Sequence, residues 1–228
     1  LGDVYKRQSL KKYLICSFCV VLIVGCSQNQ ESLPYYNSAD FTPIFLSNHQ
    51  SFEKDIPHKI EDFILTNEKG VLFGSENLKG KVHVANFIFT SCTNICPKMT
   101  TNMGLVEKEF KNNIDVSLVS FTVTPWLDSP EVLNRYKEES TLNSKNWHFL
   151  TGNKANIYSI ARKSYFAEEE IGFTKDSTDF LHTEHFLLID GSLRIRGIYN
   201  GTLGLEMEQL IKDIHLLTVS YTHLRAHE

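Results

Sequence analysis

The chain has 228 residues, enough for one ordinary domain with additional segments at its ends. Hydrophobic residues make up 42% of the chain and charged residues 22%, proportions typical of a globular protein. The formal net charge is −4, and no cluster of Lys and Arg follows the first dozen residues. These features argue against a nucleic-acid partner, because such proteins usually carry a basic patch.

The N-terminal region has the features of a bacterial lipoprotein signal. Two lysines precede an apolar run over Tyr13–Val24. This run is shorter than the about 20 residues of a membrane-spanning helix and fits the apolar part of a secretory signal. It is followed by Gly25 and Cys26, a small residue and then a thiol suited to lipidation. We therefore predict a signal peptide over residues 9–26 and a lipid anchor on Cys26, which places the domain in the cell envelope, on the periplasmic face of a membrane.

The rest of the chain divides into a tether, a domain and two short tails. Residues 1–8 and 218–228 differ in character from the other segments and are interpreted as non-native tails, so they are excluded from fold prediction. Residues 27–55 are polar and irregular, which predicts a tether between the anchor and the domain. The domain itself is expected over residues 56–217.

The pattern of apolar residues predicts an α/β domain. Residues 82–89 (VHVANFIF) and 116–123 (VSLVSFTV) are almost continuously apolar, as expected of buried central strands. A helix is predicted over residues 97–110 between them. Ser129 and Pro130 have the types preferred at a helix N-cap and first position, which predicts another helix start.

The sequence of the C-terminal part of the domain predicts a β-hairpin followed by a helix. Two short apolar strands flank the turn dipeptide Asp190-Gly191. The last helix is expected over residues 205–217. Strands alternating with helices and then a hairpin predict a mixed central sheet with helices on both faces.

Cysteine usage isolates one pair in the predicted domain. The chain has five cysteines, of which Cys16 and Cys19 fall in the predicted signal peptide and Cys26 at its lipidation site. Only Cys92 and Cys96 remain, four residues apart, in an oxidising compartment.

The spacing of this pair leaves several chemistries open. Both cysteines lie where a strand gives way to a helix, and a helix N-terminus favours the thiolate form. If Cys92 and Cys96 share one helical turn, their sulfurs lie on one face and converge on a single ion. Thiolates prefer Cu(I), and an added imidazole also suits Cu(II). A redox-active dithiol and a local structural disulfide between the two cysteines are the alternatives.

Several motifs together resemble the Sco/SenC family. They are Asn86–Pro97 (NFIFTSCTNICP), Ser129–Leu133 (SPEVL), Trp147–Gly152 (WHFLTG) and the segment around His182, within a similarity that spans residues 56–217. The resemblance implies a thioredoxin-like fold that binds copper through two cysteines and one histidine. It also implies a role in delivering copper to the binuclear copper site of cytochrome c oxidase, or in reducing the thiols of that site. The partner would then be the copper-binding subunit of the oxidase.

By the family pattern the ligands are Cys92, Cys96 and His182. His185 is the competing histidine, but it adjoins the apolar strand, and residues three apart in an extended chain point to opposite faces. The chain also has no proline after Pro130, whereas thioredoxin-type reductases place a cis-proline before the hairpin strand. A histidine segment at that position favours a metal site over a docking site for a substrate disulfide.

One residue departs from the family pattern. The family often carries Val-Asp-Pro after the second central strand, and this chain has Val123-Thr124-Pro125. The ligands are unaffected, but a contribution of that carboxylate to local charge or docking is in doubt.

These observations predict a copper metallochaperone, a metal carrier rather than a turnover enzyme. The alternative is a thiol-disulfide oxidoreductase that uses the Cys92–Cys96 disulfide and keeps the acceptor's cysteines reduced. A peroxidase related to peroxiredoxins ranks lower: Thr93 and Cys96 have its Thr-x-x-Cys spacing, but the neighbouring Cys92 and Pro97 fit that family poorly.

Overall fold

The structure of the chain, a computed structural model, describes residues 32–46, 52–140, 144–167 and 183–225. All of these except Ser32 belong to one compact unit, Leu33–Glu228. The predicted signal peptide with Cys26, the tail over residues 1–8 and the ligand candidate His182 lie outside the described residues.

Strands and helices alternate along the described chain and end in a hairpin and a long helix. The strands are β1 (Ile64–Asn67), β2 (Leu72–Gly74), β3 (Val82–Ile88), β4 (Val116–Thr122), β5 (Trp147–Thr151), β6 (His185–Ile189) and β7 (Ile195–Asn200). The helices are α1 (Phe52–Asp55), α2 (Ile95–Phe110), α3 (Pro130–Glu139), α4 (Lys154–Ser159) and α5 (Gly204–Arg225), with a 3-10 helix at Ser75–Asn77 and a π-helical turn at Ile160–Ser164.

The described strands form one mixed sheet in the order β2-β1-β5-β4-β3-β6-β7. β3, β4 and β5 run parallel, and the remaining neighbours are antiparallel. In the central pair, Ile88 lies opposite Thr122 at the carboxyl ends of β3 and β4. The loops that follow these two strands therefore leave the sheet side by side; Cys92 lies in the first of them, and Cys96 lies in the helix that follows it.

Two apolar layers cover the sheet, which confirms the prediction of helices on both faces. On one face, α2, α3 and α5 pack against alternate residues of β3 and β4; this layer includes Val84, Met99, Met103, Leu118, Leu133 and Leu210. On the other face, α4 and the π-helical turn pack with the β1–β2 hairpin; this layer includes Phe63, Phe87, Phe121, Ile157 and Tyr165. Burial of these apolar surfaces is the main favourable contribution to folding.

Several residues in or next to the sheet have packing or capping roles. Met99 and Met103 have no exposed surface and belong to the core rather than to a metal site. His83 is also fully buried, with Nε2 3.1 Å from the hydroxyl oxygen of Tyr165. Burial lowers the pKa of His83 to about 3, so this histidine is a neutral core residue. At α3, Ser129 accepts a hydrogen bond from the Val132 N–H at 3.4 Å and caps the helix as predicted.

Part of the predicted tether packs on the domain. The Arg196 guanidinium of β7 donates to the carbonyl oxygens of Leu33 (2.7 Å) and Pro34 (3.0 Å) and lies 3.8 Å from the ring centroid of Tyr35. These contacts supply partners for backbone carbonyls that a free tether would leave to water. Within the described residues, the compact unit begins at Leu33.

Two elements differ from the predicted ones. β5 was not predicted as a strand, yet it runs parallel to β4 and buries Trp147, whose Nε1 donates to Ser120 Oγ at 2.9 Å. α5 continues to Arg225, beyond the expected end at Leu217. No Gly or Pro interrupts residues 217–225, and each added residue extends an existing helix by one hydrogen bond.

Candidate metal centre

The cysteine pair lies at the junction between β3 and α2. The helix begins at Ile95, two residues before the predicted start at Pro97. Cys96 therefore lies in the first turn of the helix, whereas Cys92 lies in the preceding loop, where its N–H donates to the Phe89 carbonyl oxygen at 3.2 Å. The two cysteines are thus not on one helical face, as their spacing had suggested, and the bend of the loop brings them together instead.

The Cys92 thiol is partly exposed and is activated by its surroundings. Both cysteines are free thiols, and the Cys96 thiol is close enough to act on the ionisation of Cys92. Partial burial opposes ionisation of Cys92, but the backbone N–H groups of Cys96, Asn94 and Ile95 and the Cys96 thiol outweigh it. Together they lower the pKa of Cys92 below its ordinary value of 9.0. Cys92 is therefore the more reactive member of the pair.

Cys96 has the opposite character. Its side chain is 3% exposed, and burial raises the pKa of the Cys96 thiol to about 12. The charges of Cys92 and Asp128 act in the same direction, while the backbone N–H of Phe89 opposes them. The pair thus combines an accessible, easily ionised thiol with a covered, protonated one.

This asymmetry predicts selective alkylation of the reduced domain. Brief treatment with iodoacetamide near neutral pH is expected to modify Cys92 roughly tenfold or more faster than Cys96, because the thiolate is the reacting form. Peptide mapping by mass spectrometry measures the two rates in one sample. Equal rates, or faster modification of Cys96, would contradict the described geometry.

Cys92 opens onto a cavity of about 450 Å³. The cavity is lined by Thr90, Cys92, Pro97, Thr100, Thr101, Tyr136 and Ser140. In its wall, the hydroxyls of Thr100 and Tyr136 are 2.7 Å apart, and burial raises the pKa of Tyr136, so its hydroxyl is neutral. The cavity gives a partner's thiol or a small ion a route to Cys92 while Cys96 stays covered.

Asp128 belongs to this site, although its sequence position did not predict it as a site residue. Its side chain is fully buried and accepts hydrogen bonds from the hydroxyls of Thr90, Thr122 and Thr124. Thr124 is the residue that departs from the family pattern, so a carboxylate is present in this region despite that departure. The sequence feature that could have indicated this role is the position of Asp128 in the loop after a central strand, directly before the helix-capping residue Ser129.

The structure brings together two of the three predicted ligands. His182 lies outside the described residues and stays a prediction. His185 is the first residue of β6, partly buried, and its ring packs edge-on against Phe41 with 6.1 Å between centroids. Where the structure describes the chain, no group of three or more His, Cys, Asp or Glu side chains is arranged to hold a metal ion.

The fold and the site together define a class of protein. A mixed sheet of this order, with a reactive dithiol between a central parallel strand and its helix, is a thioredoxin-like domain with a cysteine pair as its functional site. The family model described as SCO1/SenC matches residues 53–218. The chain therefore belongs to the SCO1/SenC family.

Solved structures agree with this assignment. A SCO1/SenC family lipoprotein from Bacillus anthracis str. Ames is 34% identical, over 71% of this chain and 95% of that one, with a TM-score of 0.62. BsSco, described as a Sco-family cytochrome c oxidase assembly protein with a disulfide switch, is 33% identical over 71% of this chain and 94% of its own, with a TM-score of 0.60. ScoI of Bradyrhizobium japonicum, solved with copper bound, shares the fold at 24% identity over 69% of this chain and 98% of its own, with a TM-score of 0.56.

The membrane association predicted from the sequence rests on the N-terminal segment. Among the helices that the structure describes, none is both long enough and apolar enough to cross a bilayer.

Proposed function

We propose that this chain is a membrane-anchored copper metallochaperone for the assembly of cytochrome c oxidase. Cys92 and Cys96 bind Cu(I) or Cu(II) as thiolates, and His182 completes the site. The copper is cargo, passed to the binuclear copper site in the copper-binding subunit of the oxidase. The observation that carries the proposal is the thiol pair itself: Cys92 opens onto a cavity, and Cys96 is buried in the first turn of the following helix.

The donor atoms of the site fit copper. Thiolates are soft ligands that favour Cu(I), and an imidazole adds affinity for Cu(II). A structural zinc site commonly needs four protein ligands, and the predicted domain has only two cysteines. ScoI, a structure of the same fold, was solved with copper bound.

The asymmetry of the pair suggests an order of ligand exchange. Each thiol releases one proton as its sulfur bonds to copper, and the lowered pKa of Cys92 makes it the first to do so. During delivery, an acceptor thiolate approaches through the cavity and replaces the accessible Cys92. The buried Cys96 then leaves last.

The lipid anchor on Cys26 is part of the proposal. The Gly25-Cys26 sequence after an apolar run supports it, as does the similar Bacillus anthracis protein, which is described as a lipoprotein. An anchored domain on the periplasmic face of the envelope would meet a membrane-embedded acceptor in the same plane.

A second candidate function is supported by the same asymmetry. In a thiol-disulfide oxidoreductase, the Cys92 thiolate attacks an acceptor disulfide and forms a mixed disulfide, releasing one acceptor thiolate. Cys96 then loses its proton and displaces the second acceptor sulfur, which leaves the acceptor reduced and Cys92–Cys96 oxidised. The disulfide switch described for BsSco concerns this kind of chemistry. An external thiol reductant must then restore the pair.

His182→Ala separates the two functions. Copper delivery needs the imidazole, so the variant is expected to lose at least about tenfold in Cu(II) affinity and to mature the acceptor poorly. Thiol reduction does not need it. The measurements are a Cu(II) titration of the reduced domain and assembly of the binuclear copper site in cells.

His185→Ala is the matched control, because this residue begins β6 and packs against Phe41. It is expected to leave Cu(II) affinity unchanged. Undiminished acceptor maturation in His182→Ala would overturn the chaperone proposal in favour of the oxidoreductase.

A further inference from the structure

Asp128 is a buried carboxylate without a cationic partner among the described residues. It is fully buried, and no Lys, Arg or His of the described residues forms an ion pair with it. Three threonines surround it instead. Thr90 Oγ1 donates at 2.6 Å, Thr124 Oγ1 donates at 2.9 Å, and Thr122 Oγ1 donates at closer range; the Thr90 N–H adds a longer contact of 3.3 Å.

These contacts surround the Asp128 carboxyl group with groups that can donate hydrogen bonds to it. The Thr122 hydroxyl oxygen already accepts the Thr124 N–H at 3.0 Å, which leaves its own proton for Asp128. Three hydroxyl groups and one backbone N–H group therefore surround one carboxyl group. Charge-assisted hydrogen bonds of this kind stabilise a buried anion without a counter-ion.

The carboxylate is tied to the cysteine loop and acts on it electrostatically. Thr90, which makes two of the four contacts, lies two residues before Cys92. Thr122 and Thr124 belong to the end of β4 and the loop after it, so Asp128 links the two loops at the carboxyl edge of the sheet. Its charge also opposes ionisation of the Cys96 thiol.

We propose that Asp128 is a positioning residue whose fixed negative charge biases the Cys92–Cys96 site toward Cu(II) over Cu(I). This inference rests on the copper function proposed above. Cu(I) bound by two thiolates leaves the site with a net charge of −1, whereas Cu(II) bound in the same way leaves it neutral. A neighbouring buried anion disfavours the charged product and has little effect on the neutral one.

The proposal predicts that removing the charge changes the affinity for Cu(I) but not the affinity for Cu(II). In Asp128→Asn, Cu(I) affinity is expected to rise on the order of tenfold, while Cu(II) affinity stays nearly constant. The amide can keep hydrogen bonds to the threonines, because each hydroxyl both donates and accepts. Asp128→Ser removes the charge with a different geometry and is expected to shift the affinity ratio in the same direction.

Thr90→Val is the control for loop geometry. It keeps the Asp128 charge but removes the 2.6 Å link to the cysteine loop. This variant is expected to weaken Cu(I) and Cu(II) binding together and leave their ratio unchanged.

The experiment is a pair of competition titrations of the reduced domain, one with Cu(I) and a Cu(I) chelator, the other with Cu(II) and a Cu(II) chelator. Circular dichroism selects the variants that fold. A lowered Cu(II)-to-Cu(I) affinity ratio in either charge-removing variant, with an unchanged ratio in Thr90→Val, supports the proposal. An unchanged ratio in the folded charge-removing variants, or the same shift in Thr90→Val, overturns it. Failure of the unaltered domain to bind copper would instead refute the proposed function, so the two failures are distinct.

Discussion

Replacing Cys92 and Cys96 together with serine is expected to abolish stoichiometric copper binding by the reduced domain. The hydroxyl of serine is a hard, un-ionised donor and does not replace a thiolate toward Cu(I). Elsewhere among the described residues, too, no group of three or more candidate ligands is found. Titration with Cu(I) in the presence of a competing chelator should therefore show one bound ion before the change and none after it.

The neighbouring Ser91 provides a matched control for this change. Ser91 is exposed and lies in the same loop, so Ser91→Ala perturbs the loop without removing a sulfur. It is expected to keep full stoichiometry. Copper binding that survives in the double-serine variant would show that the pair is not the metal site.

The second large effect is on the stability of the fold, and it concerns the buried ion pair between Lys137 of α3 and Glu68. Lys137 Nζ lies 2.8 Å from Glu68 Oε1 and also donates to the Trp147 carbonyl oxygen, and both side chains are almost completely buried. The other Glu68 oxygen accepts the Phe149 N–H at 3.1 Å. Lys137→Ala leaves an unpaired buried carboxylate. We expect it to lower the free energy of unfolding by about 3–5 kcal/mol, measured by urea denaturation.

Lys69 and a double variant supply the controls for this stability change. Lys69 adjoins Glu68 in sequence but is exposed, so Lys69→Ala should change stability by less than about 0.5 kcal/mol. Glu68→Leu combined with Lys137→Met removes both charges and should recover much of the loss. A small effect of Lys137→Ala alone would contradict the buried pairing.

The same ion pair has a defined pH dependence. Burial opposes ionisation of Glu68, but hydrogen bonding and charge from Lys137 outweigh it and lower the pKa of this carboxyl below its ordinary 4.5. Because the pKa of Glu68 is lower in the folded state than in the unfolded state, its ionised form stabilises the fold at pH values above the unfolded-state pKa. This stabilisation is lost as the pH falls below 4.5 and through the folded-state pKa.

Elements of the fold were predicted correctly from the sequence where the residue types of one short segment determine its structure. The apolar run of β3 has all seven residues buried, and such continuity occurs in a strand that is covered on both faces. β6 and β7 pair as the expected hairpin around Asp190-Gly191, through a loop over residues 190–194 in which the Asp190 carboxylate accepts the N–H groups of Ser192 and Arg194. Family resemblance added the identity of the cysteine pair as a functional site.

The features that escaped prediction depend on contacts between distant segments. β5 is short and mixed in polarity, and it is a strand because it pairs with β4 and buries Trp147. Asp128 becomes part of the site only because parallel pairing sets the end of β4 beside the end of β3. Leu33 and Pro34 likewise lie at the sheet edge because their carbonyl oxygens accept hydrogen bonds from the Arg196 guanidinium, across more than 160 residues of chain.

The most direct test of the copper site is X-ray absorption spectroscopy of the copper-loaded domain. We expect two sulfur scatterers and one imidazole nitrogen around the metal, with the imidazole signal lost in His182→Ala and no copper bound by the double-serine variant. A metal environment of nitrogen and oxygen alone, unchanged by removal of Cys92 and Cys96, would contradict this expectation.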